Sequence, residues 1–396
     1  MLNEQEIATV KKTVPLLEAA GPTLTKHFYE RLFEHNPELK NVFNLSHQHS
    51  GKQPVALFEA VAAYARHIED PSVLESAISR IANKHVGFDI QPEHYDIVGY
   101  HLINTLSELG GKDFPPEVAD VWRKAYAVLA GFFIEKEGSI YHLNASTNGG
   151  WQGARPFRLI EKRMESELVK SLVFEPLDKQ PVKHYEPGQY ISLKLNIKNH
   201  PYQEIRQYSL SNKANGRTYQ ISVKREVEGV PGIVSNYLHD GLRLGDVIDL
   251  FPPSGDFYFV DRQKPVVLIS AGVGITPMAA MLDHLTESGY DQPVYFLHAC
   301  ENNEQHSFAE FLSQKAQIHE QVKSFVWYKS DRVERENTFH GLLDLTQVEA
   351  NLPISQADFY LCGPVPFMQF AKQQLATLGV EPERIHYEVF GPHEVF

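Results

Sequence analysis

Cysteine is almost missing from this chain: its 396 residues contain two, Cys300 and Cys362. Two thiols cannot build a disulfide framework, a four-thiolate zinc site or a four-cysteine iron–sulfur cluster. Long apolar runs are missing as well, and no stretch approaches the roughly 18–20 residues of a membrane-spanning helix. Glu4, Glu6, Lys11, Lys12 and Glu18 interrupt the start of the chain, so no secretory leader is expected and a cytoplasmic location is. Dense basic runs do not occur, and Lys plus Arg total 37 against 50 Asp plus Glu, a formal charge of −13. That balance argues against nucleic acid or an anionic membrane surface as a partner. Internal repeats and low-complexity tracts are absent too, and nothing points to an obligate protein partner.

What remains is a long chain, 42% hydrophobic and 22% charged, with material for two or three well-packed domains. Residues 1–145 carry apolar positions at helical spacing. Breaks fall at Gly21-Pro22, Asn36-Pro37, Ser50-Gly51, Asp70-Pro71, Gly87 and Gly110-Gly111. Six or seven helices and no strands are expected there. "NASTNGGWQG" (144–153) is small, polar and glycine-rich, as a linker would be. "QYISLKL", "TYQISVKR" and "DVIDLF" then alternate like strands of a small antiparallel barrel. Beyond Pro265, "VVLISAG", "VYFLHAC" and "DFYLCGP" read as buried strands alternating with helices, which implies a parallel α/β sheet. The expected organisation is an all-α domain over 1–145, a barrel over 150–262 and an α/β domain over 263–396.

"LISAGVGITPM" follows a strand and opens a helix. Gly272 and Gly274 would let the backbone approach a pyrophosphate, and the helix start would supply N–H donors. A glycine pair alone is also common at ordinary strand–turn–helix joints. Here it stands in an ordered series with "RQYSL" (206–210), "GIVSNYL" (232–238) and "CGPVPFM" (362–368). Together the four resemble the ferredoxin–NADP reductase family over about residues 155–396. The resemblance implies a flavin barrel followed by a nicotinamide domain. It places Tyr208 and Ser209 at the isoalloxazine, Arg206 and Gln207 beside them with Arg206 facing the FAD pyrophosphate, and Tyr190 toward the adenine side. Gly232, Val234 and Ser235 would hold the pyrophosphate at a helix start, with Ser235 as N-cap. Ser270, Ala271, Gly272, Val273, Gly274 and Ile275, with Cys362 and Gly363, would hold the nicotinamide nucleotide. Strand packing is the alternative for Tyr190 and Tyr208.

In the helical segment, Leu74, Ile78, Ile81 and Ala82 form one helical face, and His85 continues it in the last turn before Gly87. Two readings stay open on spacing alone: complementing the helix dipole, or a buried role for the ring. Tyr95 begins Tyr95-Val98-Leu102-Leu106, and Glu135 ends Val121-Ala125-Val128-Phe132-Glu135. A carboxylate on such a seam requires a donor unless it frays into solvent.

Residues 1–145 also resemble a globin. The whole chain, including "RLFEHNPELKNVFN", "ANKHVGFDI" and "HYEVFGPH", is similar to the bacterial flavohemoglobins. That resemblance implies haem b, FAD and NADH or NADPH as cofactors, and conversion of NO and O₂ to nitrate as the activity. It makes His85 the iron ligand, with Tyr95 and Glu135 as a hydrogen-bonded relay behind it and Phe43 at the haem. Tyr29 and Gln53 would face bound gas, with Leu57 one turn from Gln53. For Tyr29 and Leu57 core packing is the alternative, and for Gln53 a helix-start role. Lys84 and Glu388 match positions that couple the haem and flavin ends, Glu388 opening the terminal run Val389, Phe390, Gly391 and Pro392. In "HACEN" no Arg is offered to a 2′-phosphate, and Glu301 favours NADH. An oxygen-storage or sensing globin, or a reductase for external acceptors, are the rival functions.

Overall fold

The computed structural model describes residues 2–18, 21–43, 52–227 and 229–391, without the side chains of 21, 22 and 52–56. Two compact units result. The first comprises Met1–Thr147 with Trp151–Gly153 and Lys194–Ile205; the second comprises Asn148–Gly150, Ala154–Leu193 and Arg206–Phe396.

Seven helices among the described residues build the first unit: α1 (Glu4–Lys12), α2 (Val14–Glu18), α3 (Gly21–His35), α4 (Lys52–Arg66), α5 (Glu75–Val86), α6 (Pro92–Gly110) and α7 (Pro116–Ser146). Asn3 caps α1 by accepting from the Glu6 N–H while Glu6 returns a bond to the Asn3 N–H. Asn36-Pro37 ends α3, and Asp70-Pro71 separates α4 from α5, since proline cannot supply the next helical donor. The expected break at Ser50-Gly51 lies outside the described residues. Phe28, Leu32, Leu102, Leu106 and Trp122 are wholly buried and centre the core. Gly99 lets α6 approach α7, because a Cβ there would lie 2.3 Å from the Tyr126 ring. The linker begins later than the sequence suggests: α7 continues through Ser146, and Asn144 is buried on it.

After the helices comes an antiparallel sheet of β1 (Arg155–Met164), β2 (Val169–Pro176), β3 (Tyr190–Leu195), β4 (Glu204–Ser209), β5 (Tyr219–Lys224) and β6 (Val247–Leu250). Its order is β4-β3-β6-β1-β2-β5, and a bridge from Leu210 to Ile221 joins the end of β4 to β5, closing the sheet as the expected barrel. Between β5 and β6 lies the short helix α8 (Ile233–Asn236).

The parallel sheet follows, in the order β10-β9-β8-β7-β11-β12. Its elements are β7 (Val266–Ala271), α9 (Ile275–Glu287), β8 (Val294–Cys300), α10 (Ala309–Ile318), β9 (Val322–Tyr328), β10 (Thr338–His340), β11 (Asp358–Cys362), α11 (Val365–Thr377) and β12 (Ile385–Glu388). Every residue of β7 and β11 is buried, as the unbroken apolar runs imply for strands covered on both faces. Strand β7 has β8 on one side and β11 on the other, so the chain switches direction across the sheet at β7 and β11. Ligands of open α/β sheets bind outside the carboxyl ends of strands at such a switch point.

Candidate functional sites

Helix α5 ends at Val86, with Gly87 as its cap, and so places His85 in the final turn as expected. The chain then turns back sharply. The Phe88 and Ile90 N–H groups both donate to the His85 carbonyl, and Asp89 takes a left-handed φ of 56°. Asp tolerates that conformation better than most side chains. Two tyrosines of α7 tie this region down: Tyr141 donates to the Ile90 carbonyl (2.8 Å) and Tyr126 to the Tyr95 carbonyl (3.0 Å).

The buried carboxylate that meets His85 is Glu137, not Glu135. Tyr95 donates its hydroxyl proton to Glu137 Oε1 at 2.5 Å. His85 Nδ1 lies 2.8 Å from that same oxygen and 2.8 Å from the Tyr95 hydroxyl. Proton accounting fixes the tautomer. The Tyr95 proton is spent on Glu137, so both groups facing Nδ1 are acceptors and Nδ1 must carry the hydrogen. Nε2 is then left with its lone pair outward, and it makes no hydrogen bond among the described residues. Burial, with the Glu137 charge beside it, holds the Tyr95 phenol far above its usual range, so it stays a donor. Phe133 stacks on Tyr95 (6.1 Å) and packs against His85 (5.7 Å), covering the network.

Glu135 is exposed, and the expectation built on it is overturned. Helix α7 buries Trp122, Ala125, Tyr126, Leu129, Phe133 and Glu137, a face centred next to the Val121–Phe132 stripe. Val121, Val128 and Phe132 are half-buried flanks of it. From Phe133, Glu137 is one turn onward on the same face, whereas Glu135 is rotated by about 200°. The spacing Trp122-Tyr126-Leu129-Phe133-Glu137 was the available signal.

The remaining residues of the helical unit divide. Tyr29 is buried, edge-on to Phe43 (5.9 Å) and stacked on Phe33 (5.8 Å), so the structure brings Tyr29 and Phe43 together. Leu57 is half-buried against the same core. Gln53 falls on α4, but its side chain lies outside the described residues. Lys84 is half-buried beside His85 in the last turn of α5.

In the second unit Arg206, Gln207, Tyr208 and Ser209 all fall on β4, and Ser209 is buried. Tyr190 opens β3; it is buried, yet its hydroxyl has no hydrogen-bond partner among the described residues. An orphaned buried hydroxyl fits a position that a bound group completes. Burial and the Glu388 carboxylate push the Tyr190 phenol well above its ordinary range. Ser235 is not the N-cap. Gly232 holds that place, and Ser235 lies inside α8 with its hydroxyl accepting from the Glu226 N–H (3.2 Å). A Cβ at Gly232 would sit 2.5 Å from the Ser235 hydroxyl, which accounts for a glycine at the start of this turn.

Strand β7 ends at Ser270 and Ala271, and the turn Gly272–Gly274 then leads into Ile275, the first residue of α9. Gly272 has a φ of +52°, and a Cβ on Gly274 would lie 2.3 Å from the Cys362 carbonyl oxygen. The two switch-point loops therefore meet backbone to backbone, with Gly363 also crowded against Ala271. In sheet register Ser270 pairs with Cys362 and with His298, and Cys362 with Glu388. Glu388 is buried and its Oε1 accepts from the Val389 N–H (3.0 Å). Val389 is buried, Phe390 exposed and Gly391 at φ +133°, while Pro392 lies outside the described residues.

Sequence reasoning missed a buried pair behind this loop. Ser270 Oγ meets His298 Nδ1 at 2.9 Å, His298 stacks on His306 (5.1 Å), and His306 Nδ1 meets the Tyr328 hydroxyl at 2.8 Å. Burial draws both imidazoles below their usual range, His306 to about 4 with Arg335 adding to the effect. Nothing in the spacing of "HACENNEQH" marks the two rings as partners.

Known proteins agree with this arrangement. The globin family profile matches residues 26–133, the oxidoreductase FAD-binding domain 156–259 and the oxidoreductase NAD-binding domain 268–373. The flavohemoprotein of Vibrio cholerae serotype O1 is 49% identical over 395 residues, 99% of each chain. The chain belongs to the flavohemoprotein family. A crystal structure of flavohemoglobin from Malassezia yamatoensis with bound FAD and heme is similar at a TM-score of 0.88 and 25% identity, covering 98% of this chain and all of that one. The FAD/NAD-binding domain of nitric oxide dioxygenase from Vibrio cholerae O1 biovar El Tor covers 61% of this chain and all of its own, at 46% identity and a TM-score of 0.57. As a flavohemoprotein the chain is an oxidoreductase, with a globin domain for haem and domains for FAD and NAD. Among the described residues no helix is long and apolar enough to cross a membrane.

Proposed function

We propose that this chain is an NAD(P)H-dependent nitric oxide dioxygenase that converts NO and O₂ to nitrate. The observation that carries the reading is the His85–Tyr95–Glu137 network in the same chain as FAD- and NAD-binding domains. A globin that only stores or senses oxygen has no use for hydride-handling domains. A reductase for external acceptors has no use for a polarised buried histidine. The Vibrio cholerae protein with a similar FAD/NAD-binding domain is itself described as a nitric oxide dioxygenase.

When bound, FAD would supply the passage from hydride to single electrons, and haem the dioxygen and NO chemistry. The chain's own groups prepare the site for them. His85 presents Nε2 as a ligand, and its Nδ1–H leans on Glu137 and Tyr95, which increases the basicity of the ring. Tyr29, kept protonated by burial, offers a hydroxyl donor near Phe43. Tyr190, Arg206, Gln207, Tyr208 and Ser209, with Gly232, Val234 and Ser235, form the flavin cradle. Ser270–Ile275 and Cys362–Gly363 receive the nicotinamide nucleotide, and Glu388–Phe390 close the flavin end. The change from antiparallel to parallel sheet supports separate domains over 150–262 and 263–396. Simultaneous measurement of NO loss and nitrate formation, with NADH as reductant, tests the assignment. Stoichiometric nitrate is expected; NADH oxidation that consumes no NO would leave only a flavin reductase.

A further inference from the structure

Glu137 commits only one of its two carboxylate oxygens to the His85 network. Both the Tyr95 hydroxyl and His85 Nδ1 meet Oε1, and Oε2 makes no hydrogen bond among the described residues. Glu137 also borders a cavity of about 370 Å³, a volume typical of small-molecule sites. Ile90, Pro92 and Ile134 give this cavity apolar walls. Its polar lining is weighted toward acceptors. The Tyr141 hydroxyl hydrogen is spent on the Ile90 carbonyl, leaving its oxygen lone pairs to accept. Gln91 already donates its amide to Asp89, and the lining adds Gln152 and one imidazole, His142, but neither lysine nor arginine. A guest that supplies donors and positive charge, carried on a compact apolar body, matches the Glu137 carboxylate, the Tyr141 oxygen and the apolar walls together.

We propose that this cavity binds a small organic cation, an amine or amidine with an apolar body, whose contact with Glu137 Oε2 loosens the hold of that carboxylate on His85. The chemistry is direct. A donor on Oε2 withdraws electron density from the carboxylate whose Oε1 accepts from Nδ1–H. A weaker acceptor at Nδ1 makes the ring a poorer donor at Nε2, as with other hydrogen-bond partners of metal-bound histidines. The cavity would thus be an effector site behind the metal ligand, separate from any gas or nucleotide site. The inference rests on His85 holding the haem iron, and it is independent of which reaction the haem performs.

Benzamidinium is the probe, titrated into the haem- and FAD-loaded protein at constant ionic strength, with benzoate as the control of matched shape and opposite charge. Calorimetry is expected to show saturable binding of benzamidinium and none of benzoate. In resonance Raman the iron–histidine stretching band of the reduced protein should move to lower frequency as the site fills. Gly138→Phe places a ring into the cavity from a position where a Cβ meets nothing within 4 Å, leaving Glu137 in place. It should weaken benzamidinium roughly tenfold or more, about 1.4 kcal/mol. Ala145→Trp, on the same helix and lining, serves if that variant does not fold. Absence of saturable binding, binding unchanged in the blocked variants, or binding that leaves the stretching band unmoved would each overturn the proposal. None of these readouts uses NO, so a failed nitrate assay and a failed benzamidinium titration remain distinct results.

Discussion

The histidine network of the helical unit and the glycine loops of the nucleotide unit are built on opposite principles. His85, Tyr95 and Glu137 come from three helices, lie up to 52 residues apart, and work through side chains. Their geometry exists only when α5, α6 and α7 pack together. The loop from Gly272 to Gly274 works through backbone that approaches what a side chain would exclude, and its key contact is with the next loop at Cys362–Gly363. A backbone site leaves a sharp mark in sequence, because few residues other than glycine fit. A side-chain network leaves a blunt one, because any carboxylate near the right helical turn looks equivalent. The two should also fail differently when mutated: abruptly for the loop, gradually for the network.

The largest effect is expected at Gly274. An alanine Cβ would meet the Cys362 carbonyl at 2.3 Å, and because both neighbours are backbone neither can rotate away. We expect Gly274→Ala to slow NADH-driven flavin reduction by roughly a hundredfold, since overpacking of this kind costs about 3 kcal/mol. Stopped-flow absorbance checks this. Haem reduction by dithionite should be unchanged, and wild-type flavin kinetics would show that the loop has more room than its geometry allows.

Next comes Glu137→Gln, compared with Glu135→Gln. The first should lower the iron–histidine stretching frequency, raise the haem potential and reduce NO turnover by roughly tenfold, the usual scale for losing a partner of a metal-bound histidine. The exposed Glu135 variant should match wild type in all three. Equal behaviour of the two would break the assignment of the network to Glu137.

The His298–His306 pair gives the nucleotide unit a pH dependence of its own. Both rings are buried neutral, with folded pKa values below the unfolded value of about 6.5. Between those values the unfolded chain binds more protons, so stability is complete above pH ~6.5 and declines as pH falls toward 4. For His306 alone, a shift to about 4 corresponds to roughly 3 kcal/mol. Flavin fluorescence on release, followed against pH and temperature, should show this decline reduced in His306→Phe. A parallel decline in both proteins would mean that other groups govern acid lability.

The smallest effect is expected for Gly99→Ala. The added methyl strikes the Tyr126 ring, but alanine favours helix by about 1 kcal/mol, so a net loss of roughly 1–2 kcal/mol remains. Thermal unfolding of the haem band should shift down by a few degrees while the flavin transition stays in place. A shared downward shift would show that the two units do not unfold separately.

The sequence alone specified the order of architectures, because hydrophobic period changes from helical to alternating to continuous along the chain, and each period suits one way of burying apolar surface. It also specified His85, whose place in a last turn before Gly87 is a local matter, and the glycine loop, whose residue types answer to backbone sterics. Tertiary structure alone decided which carboxylate reaches His85. Helix α7 is apolar over a wide arc, so two adjacent stripes satisfy the same spacing, and only packing against α5 and α6 turns Glu137 inward and leaves Glu135 in water. It alone decided that Gly232, not Ser235, opens the turn of α8, and that His298 and His306 stack. Each of these depends on distances between residues that no local rule relates, and such distances are set when the chain closes on itself.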